Sequence, residues 1–114
     1  MQAPTFTEIA VVGMYFRDRE GVPATELVAG FIPPVQLQFE RDFYNQYDEN
    51  AIKVLYQGQH IGFLEAAQAI FLAPWLDDGH NYELTVTDMQ VRRKNLHPIV
   101  TATPLPMEQK QADE

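Results

Sequence analysis

The sequence predicts a mainly β protein, a small curled sheet or barrel of about six short strands. Three observations support this fold class: six short segments have strand patterning, one segment has helical spacing, and the strands include a glycine-bearing bend and a bulge. The 114 residues suffice for one domain, and no internal repeat or linker divides them. We expect a single domain over residues 7–103 and a disordered acidic tail over 104–114.

The first part of the chain contains two strand patterns. Residues 9–16 form a nearly continuous apolar run around Gly13, which is typical of a strand buried on both faces. A polar loop should follow over 18–26. Apolar and polar residues then alternate over 35–40, which predicts a half-buried strand. The pair Pro33-Pro34 should bend the chain before that strand or keep its end at a sheet edge.

A hairpin and a helix are predicted next. Residues 52–56 and 61–64 have strand patterns and flank a glycine-containing turn, as in a β-hairpin. Apolar residues at helical spacing predict one or two short helices over 65–77, because Pro74 should break, kink or divide the segment. The acidic pair Asp77-Asp78 at its end is predicted to be solvated.

Two strands complete the predicted fold. In the strand that begins at Tyr82, the apolar residues lie on one face of the strand at first and on the opposite face later. A bulge near Thr87-Asp88 would explain that change of face. A turn at Lys94-Asn95 should lead to a last strand over residues 96–103. The dense basic run Arg92-Arg93-Lys94 at this hairpin tip can contact phosphate or can simply favour solubility.

Composition excludes several function classes. The chain has no cysteine and no serine, which excludes disulfides, thiolate chemistry and serine hydrolases. Its net charge of −8, with only eight Lys and Arg residues, argues against tight nonspecific nucleic-acid binding. No apolar run approaches the ~20 residues of a membrane helix, and the N-terminus lacks a secretory signal. We expect a cytoplasmic protein with no membrane contact.

The sequence shows no catalytic or metal-binding pattern. His60, His80 and His97 are scattered, without the paired spacing of metal ligands. The stretch 48–50 begins like a calcium loop, but Ala51-Ile52 occupies positions where further ligands should follow. We therefore predict no enzyme activity, no metal and no small-molecule cofactor.

The segment with the most binding chemistry is 45–54. The ring of Tyr47 can stack on a flat group, and the Asp48 carboxylate can accept a hydrogen bond from a hydroxyl. Asp48 and Asn50 can instead form turns by bonding nearby backbone amides, and this structural role is the one we favour for Asn50. Four aromatic residues crowd the region: Phe39, Phe43, Tyr44 and Tyr47.

Four motifs follow one another along the chain. They are Val12-Gly13, then Asn45-x-Tyr47-Asp48-x-Asn50-Ala51-Ile52-Lys53-Val54, then Ile61-Gly62-Phe63-Leu64, and finally Leu72-Ala73-Pro74 in an alanine-rich helix. Over roughly residues 8–91 the chain thereby resembles the HIRAN domain. The resemblance implies a modified OB-like β-barrel that binds DNA. In one member of that family the domain binds the 3′ end of single-stranded DNA, where a tyrosine stacks on a base and the next aspartate binds the terminal 3′ hydroxyl.

Carried over to this chain, the resemblance assigns stacking to Tyr47 and hydroxyl recognition to Asp48. The chain departs from the family pattern after Ile61-Gly62, where Phe63-Leu64-Glu65 replaces a histidine and phosphate-binding lysines. A protein-interaction module that has lost DNA binding is therefore the alternative function. Structural roles at turns are predicted for Gly13, Asn50 and Gly62. The predicted DNA-binding residues are Tyr15, Phe16, Arg17, Tyr47, Asp48, Lys53, Phe63 and Arg93.

Overall fold

A computed structural model describes residues 2–14 and 22–106 of the chain. The elements are β1 (Phe6–Val12), α1 (Ala24–Ala29), β2 (Val35–Arg41), β3 (Ile52–Tyr56), β4 (Gln59–Leu64), α2 (Ala66–Asp77), β5 (Tyr82–Arg92) and β6 (Asn95–Pro104). The strands close into an antiparallel barrel in the order β1-β4-β3-β2-β5-β6. The predicted mainly β, OB-like barrel with a helix at 65–77 is thereby confirmed.

The barrel core follows from the alternation of side chains along the strands. In β2, for example, Leu37 is buried while its neighbours Gln36 and Gln38 are exposed, because successive side chains point to opposite faces. Both helices add buried residues to the same core, including Val28 from α1 and Leu72 from α2. Complete burial of one such aliphatic side chain contributes about 1.5–3 kcal/mol. The fully buried core residues include Ile9, Val11, Ile52, Val54, Ile61, Leu84, Val86 and Val100.

Two hairpins have turns in which both central residues adopt left-handed backbone angles. Gln57 and Gly58 join β3 to β4 with φ values of 49° and 86°, and Arg93 and Lys94 join β5 to β6 with 51° and 72°. Such turns match the right-handed twist of the flanking strands. The second turn lies one residue earlier than predicted, since β6 begins at Asn95. The predicted bulge is confirmed by a shift in register between Val86 and Asp88.

The boundaries of β1 and α1 differ from the sequence prediction. β1 begins at Phe6, earlier than the predicted start at residue 9, and ends at Val12, because Gly13 adopts a φ of +81° and turns the chain. Residues 15–16 of the predicted strand lie outside the described residues. Residues 24–26 belong to α1 rather than to a polar loop. So short a helix is marginal by itself, and burial of Ala24 and Val28 against the barrel stabilises it.

The next comparison with the prediction concerns α2 and the end of the chain. Of the one or two helices predicted over 65–77, the structure has one, α2, which continues through Pro74 to Asp77. β6 extends to Pro104, and the Leu105 N–H donates a hydrogen bond to the Asn81 carbonyl at 2.9 Å. Residues 107–114 of the predicted acidic tail lie outside the described residues. Neither helix in the described ranges is long and apolar enough to cross a membrane.

Glu65 closes the short seam between β1 and β4. The two strands pair only at Val11↔Leu64 and Val12↔Phe63. Beyond these pairs, the Glu65 N–H donates to the Ala10 carbonyl at 2.9 Å, and the Glu65 carboxylate accepts the Ala10 N–H at 2.7 Å. The acidic residue that departs from the family pattern therefore serves as the hydrogen-bond partner of a buried strand.

Replacing Glu65 by alanine is expected to lower the free energy of unfolding by about 1–3 kcal/mol, because the buried Ala10 N–H loses its acceptor. Urea unfolding followed by circular dichroism measures the change. Glu65→Gln retains an acceptor oxygen and should recover most of the loss. Glu83→Ala, at an exposed position of β5, is the matched control; an equal effect of the two alanine substitutions would contradict the role given to Glu65.

Candidate nucleic-acid interface

The loop over residues 42–51 connects β2 to β3 and is held by its own side chains. The Asn45 side-chain oxygen accepts the N–H groups of Tyr47 and Asp48, both at 2.9 Å. The Asp48 carboxylate Oδ1 accepts the Asn50 N–H at 2.8 Å. Bonds of this kind from Asn and Asp to nearby amides build compact turns. The loop is therefore a preorganised platform, and Asn45, the first residue of the motif, is central to it.

Arg41, at the end of β2, ties this loop to α2. Its guanidinium donates to the carbonyls of Ala51 at 2.7 Å and Glu49 at 3.0 Å. It also forms a two-point ion pair with Asp77, with Nε–Oδ1 at 2.8 Å and Nη2–Oδ2 at 3.2 Å. The Arg41 side chain is only 10% exposed. Asp77 is therefore paired, whereas the sequence predicted a solvated helix end.

The two residues predicted to read a DNA end differ in their surroundings. The Tyr47 side chain is 89% exposed at the surface of the loop. Asp48 is half-buried and uses Oδ1 for the turn, while its Oδ2 accepts no hydrogen bond within residues 2–14 and 22–106. One carboxylate oxygen thus shapes the loop, and the other can accept a hydrogen bond from a ligand hydroxyl.

Lys53 and Phe63 lie on one face of the sheet. They are directly opposite each other on β3 and β4, and Phe63 is opposite Val12 on β1. Opposite residues of an antiparallel pair project to the same side. The Phe63 ring also contacts His60 edge-on, with ring centroids 4.9 Å apart. An apolar ring and a cation are therefore neighbours just after the loop.

Gly13 and Gly62 bring β1 and β4 close to this face. A Cβ atom at Gly13 would lie 3.7 Å from the Phe63 ring, and the φ of +81° at Gly13 favours glycine. Gly62 lies within β4 rather than at a turn, and a Cβ there would approach the Val12 carbonyl oxygen to 2.5 Å. Its role is close strand packing, which corrects the predicted turn.

The remaining predicted contacts are placed as follows. Tyr15, Phe16 and Arg17 lie outside the described residues. Arg93 is exposed in the β5–β6 turn, at the predicted hairpin tip. Like Lys53, Arg93 has no carboxylate within 4.0 Å in the described part of the chain. These two cations are therefore available to a phosphate.

A partly open cavity of about 430 Å³ adjoins this face, between the end of β1, α1 and the β5–β6 turn. Gly13 borders both the cavity and Phe63. The His97 Nδ1 lies 2.9 Å from the Val11 carbonyl oxygen and donates to it, because a carbonyl oxygen can only accept. No sequence pattern indicated this site, whose lining includes Met14, Ala29, Lys94, Leu96 and His97.

The comparisons with known proteins concern the family and the fold. The family model of the HIRAN domain matches residues 5–102. The chain belongs to the HIRAN domain family. The resemblance inferred from the motifs around Tyr47 and Gly62 is thereby confirmed. HIRAN domains are nucleic-acid-binding modules rather than catalytic ones.

Two solved structures are similar to this HIRAN domain. The HIRAN domain of human HLTF has 24% sequence identity and a TM-score of 0.66, covering 95% of this chain and 81% of that one. A protein from Lactobacillus plantarum has 22% identity and a TM-score of 0.68, covering 86% and 92%. At these identities the similarity supports the fold. No curated protein sequence matches the chain.

The histidines of this HIRAN domain have contacts of their own. His60 Nε2 lies 2.9 Å from the Gly62 carbonyl oxygen, and the His80 ring packs edge-on against Trp75. Within residues 2–14 and 22–106, no three His, Asp or Glu side chains are grouped so that they could hold a metal ion.

Proposed function

We propose that this HIRAN domain binds single-stranded DNA at its 3′-hydroxyl end, as a module of DNA repair, replication or bacterial or phage DNA processing. One observation carries the proposal: the exposed Tyr47 ring stands beside Asp48 on a loop that side-chain hydrogen bonds hold in place. A rigid ring next to an available carboxylate oxygen suits a stacked terminal base with a hydroxyl nearby.

In the proposed complex, base stacking and electrostatic interactions both contribute to the binding free energy. Stacking on Tyr47 contributes about 1–3 kcal/mol per base. The Asp48 carboxylate accepts the hydrogen bond of a 3′ hydroxyl, and it repels a 3′ phosphate because both groups are negative. Asp48 therefore provides discrimination between ends, while Tyr47 provides affinity for any base.

Phosphate contacts are proposed for Lys53, Arg93 and Arg17, and further stacking is proposed for Tyr15 and Phe16. Two unpaired cations would give a slope of log affinity against log salt of about −1.4, at about −0.7 per neutralised phosphate of a single strand. The cavity beside Gly13 is a second place suited to a base, because Met14, Ala29 and Leu96 give it apolar walls and Lys94 also lines it.

Fluorescence anisotropy with labelled oligonucleotides at about 50 mM salt, where phosphate contacts are strong, tests this proposal. A 3′-hydroxyl end should bind more tightly than a 3′-phosphate end by about tenfold or more, as expected for a hydrogen bond to a charged group. Tyr47→Ala should weaken binding to both ends by about 5- to 150-fold.

Asp48→Asn should abolish the discrimination between ends while keeping the loop, because the asparagine oxygen can still accept the Asn50 N–H. Equal binding of both ends by the unmodified protein, or unchanged discrimination in Asp48→Asn, would refute recognition of the 3′ hydroxyl.

A second candidate function is a protein-interaction module that has lost DNA binding. Ile70 and Phe71 on α2 are 51% and 61% exposed, and such apolar side chains on a helix can contact a partner protein. This function predicts no DNA binding at about 50 mM salt, together with a partner that Phe71→Ala releases.

A further inference from the structure

We propose that Tyr44 is a second base-stacking residue, so that a strand held at Tyr47 extends across the loop over at least two nucleotides. This inference rests on the proposed function and specifies the minimum length of the DNA strand that the domain binds. The Tyr44 side chain is 96% exposed and makes no hydrogen bond or ring contact with the described residues. Its ring contributes nothing to the core, so its placement has no packing explanation.

The position of Tyr44 is defined although its ring is exposed. On one side, the Asn45 N–H donates to the Asp42 carbonyl at 3.2 Å, and the Asn45 side-chain amide donates to the Asp42 carboxylate at 3.2 Å. On the other side of Tyr44, the centroid of the Phe43 ring lies 4.6 Å from the Arg41 guanidinium carbon. A ring on a fixed backbone loses little conformational entropy when it stacks, which favours binding.

The composition of the loop favours a nucleic acid over a protein as the occupant. Within residues 42–50 every residue that is not aromatic is polar, and none is aliphatic. A hot spot for a protein partner normally has a surrounding set of contacts that exclude water. Separated rings among polar residues are instead typical of stacking surfaces for single-stranded nucleic acid, since every base has a flat face.

The spacing of the two tyrosine rings and the charge of the loop determine how a bound DNA strand would be oriented. Tyr44 and Tyr47 are three residues apart, so their Cα atoms are at most about 10 Å apart. Stacked nucleotides rise about 3.4 Å each, and the two rings can therefore take bases that are neighbours or a few positions apart. The loop carboxylates of Asp42, Asp48 and Glu49 repel phosphates. Bases should accordingly face the loop, with the phosphates turned away from it.

Isothermal titration calorimetry with two probes tests the inference: thymidine 5′-monophosphate, which has one base and a free 3′ hydroxyl, and the hexanucleotide dT6. Tyr44→Ala should weaken binding of dT6 by about 5- to 150-fold, equivalent to about 1–3 kcal/mol. Its affinity for the mononucleotide should stay the same, because a single base occupies Tyr47. Tyr44→Phe should bind dT6 like the unmodified protein, because stacking needs the ring and not the hydroxyl.

Phe71→Ala removes an exposed ring from α2 and is the matched control, with no expected change in dT6 binding. If Tyr44→Ala binds dT6 as tightly as the unmodified protein does, the inference is overturned and the ring serves another class of partner, such as a protein. If the unmodified protein binds neither probe, the proposed function fails and this inference fails with it.

Discussion

Gly62→Ala is expected to destabilise the protein by about 3 kcal/mol, the upper part of the range for overpacking a tightly packed interior. The added Cβ would lie 2.5 Å from the Val12 carbonyl oxygen and 3.2 Å from a Val11 methyl carbon. Strand β1 would have to move away from β4, and that seam has only two paired positions. Urea unfolding, followed by the fluorescence of the single tryptophan, Trp75, measures the loss.

Gly30→Ala is the matched control for this substitution. A Cβ there would be in ordinary contact, 3.5 Å from the Leu27 carbonyl oxygen, and the φ of −90° suits any residue. The free energy of unfolding should change by less than about 1 kcal/mol. Equal stability of the two variants would show that β1 and β4 do not approach as closely as the structure indicates.

Arg41→Met should lower the free energy of unfolding by about 2–4 kcal/mol, because it leaves Asp77 and two loop carbonyls without their donor. It should also weaken DNA binding by about tenfold or more, since the rigid loop that presents Tyr47 loses its attachment to α2. Chemical denaturation and oligonucleotide titration of the same variant measure the two effects.

Three variants define this role of Arg41. Arg41→Lys keeps the charge but has no planar fork, so it should recover little of the stability. Arg93→Met, at an exposed turn, should change stability by less than about 0.5 kcal/mol. A double-mutant cycle with Asp77→Asn should reveal a coupling energy of about 0.5–3 kcal/mol; additive effects at Arg41 and Asp77 would rule out the ion pair as a source of stability.

The barrel was predictable because its signals are local. Strand alternation at 35–40 and the glycine of the β3–β4 turn each depend on a few consecutive residues, whose side-chain parity is set by backbone geometry. The change of parity at Thr87 predicted the bulge for the same reason. The family could likewise be inferred from short contiguous motifs around Tyr47 and Gly62.

The contacts that organise the site were not predictable, because they join distant parts of the chain. The ion pair of Arg41 and Asp77 spans 36 residues, and the bond between Glu65 and Ala10 spans 55. Helix α1 is similarly invisible in the sequence, since its stability depends on burial against the barrel. No local sequence pattern indicates which distant residues come into contact when the barrel closes.

The amino-acid sequence by itself determined which segments form the six strands, where the main helix lies and the turn chemistry of the loop before β3, because dihedral preferences and side-chain parity act over a few residues. The tertiary structure alone decided that Arg41 ties the loop to α2, that Glu65 completes the β1–β4 seam, and that Tyr44 and Tyr47 are left exposed. The reason is physical: the burial and pairing of a side chain depend on where barrel closure places the rest of the chain.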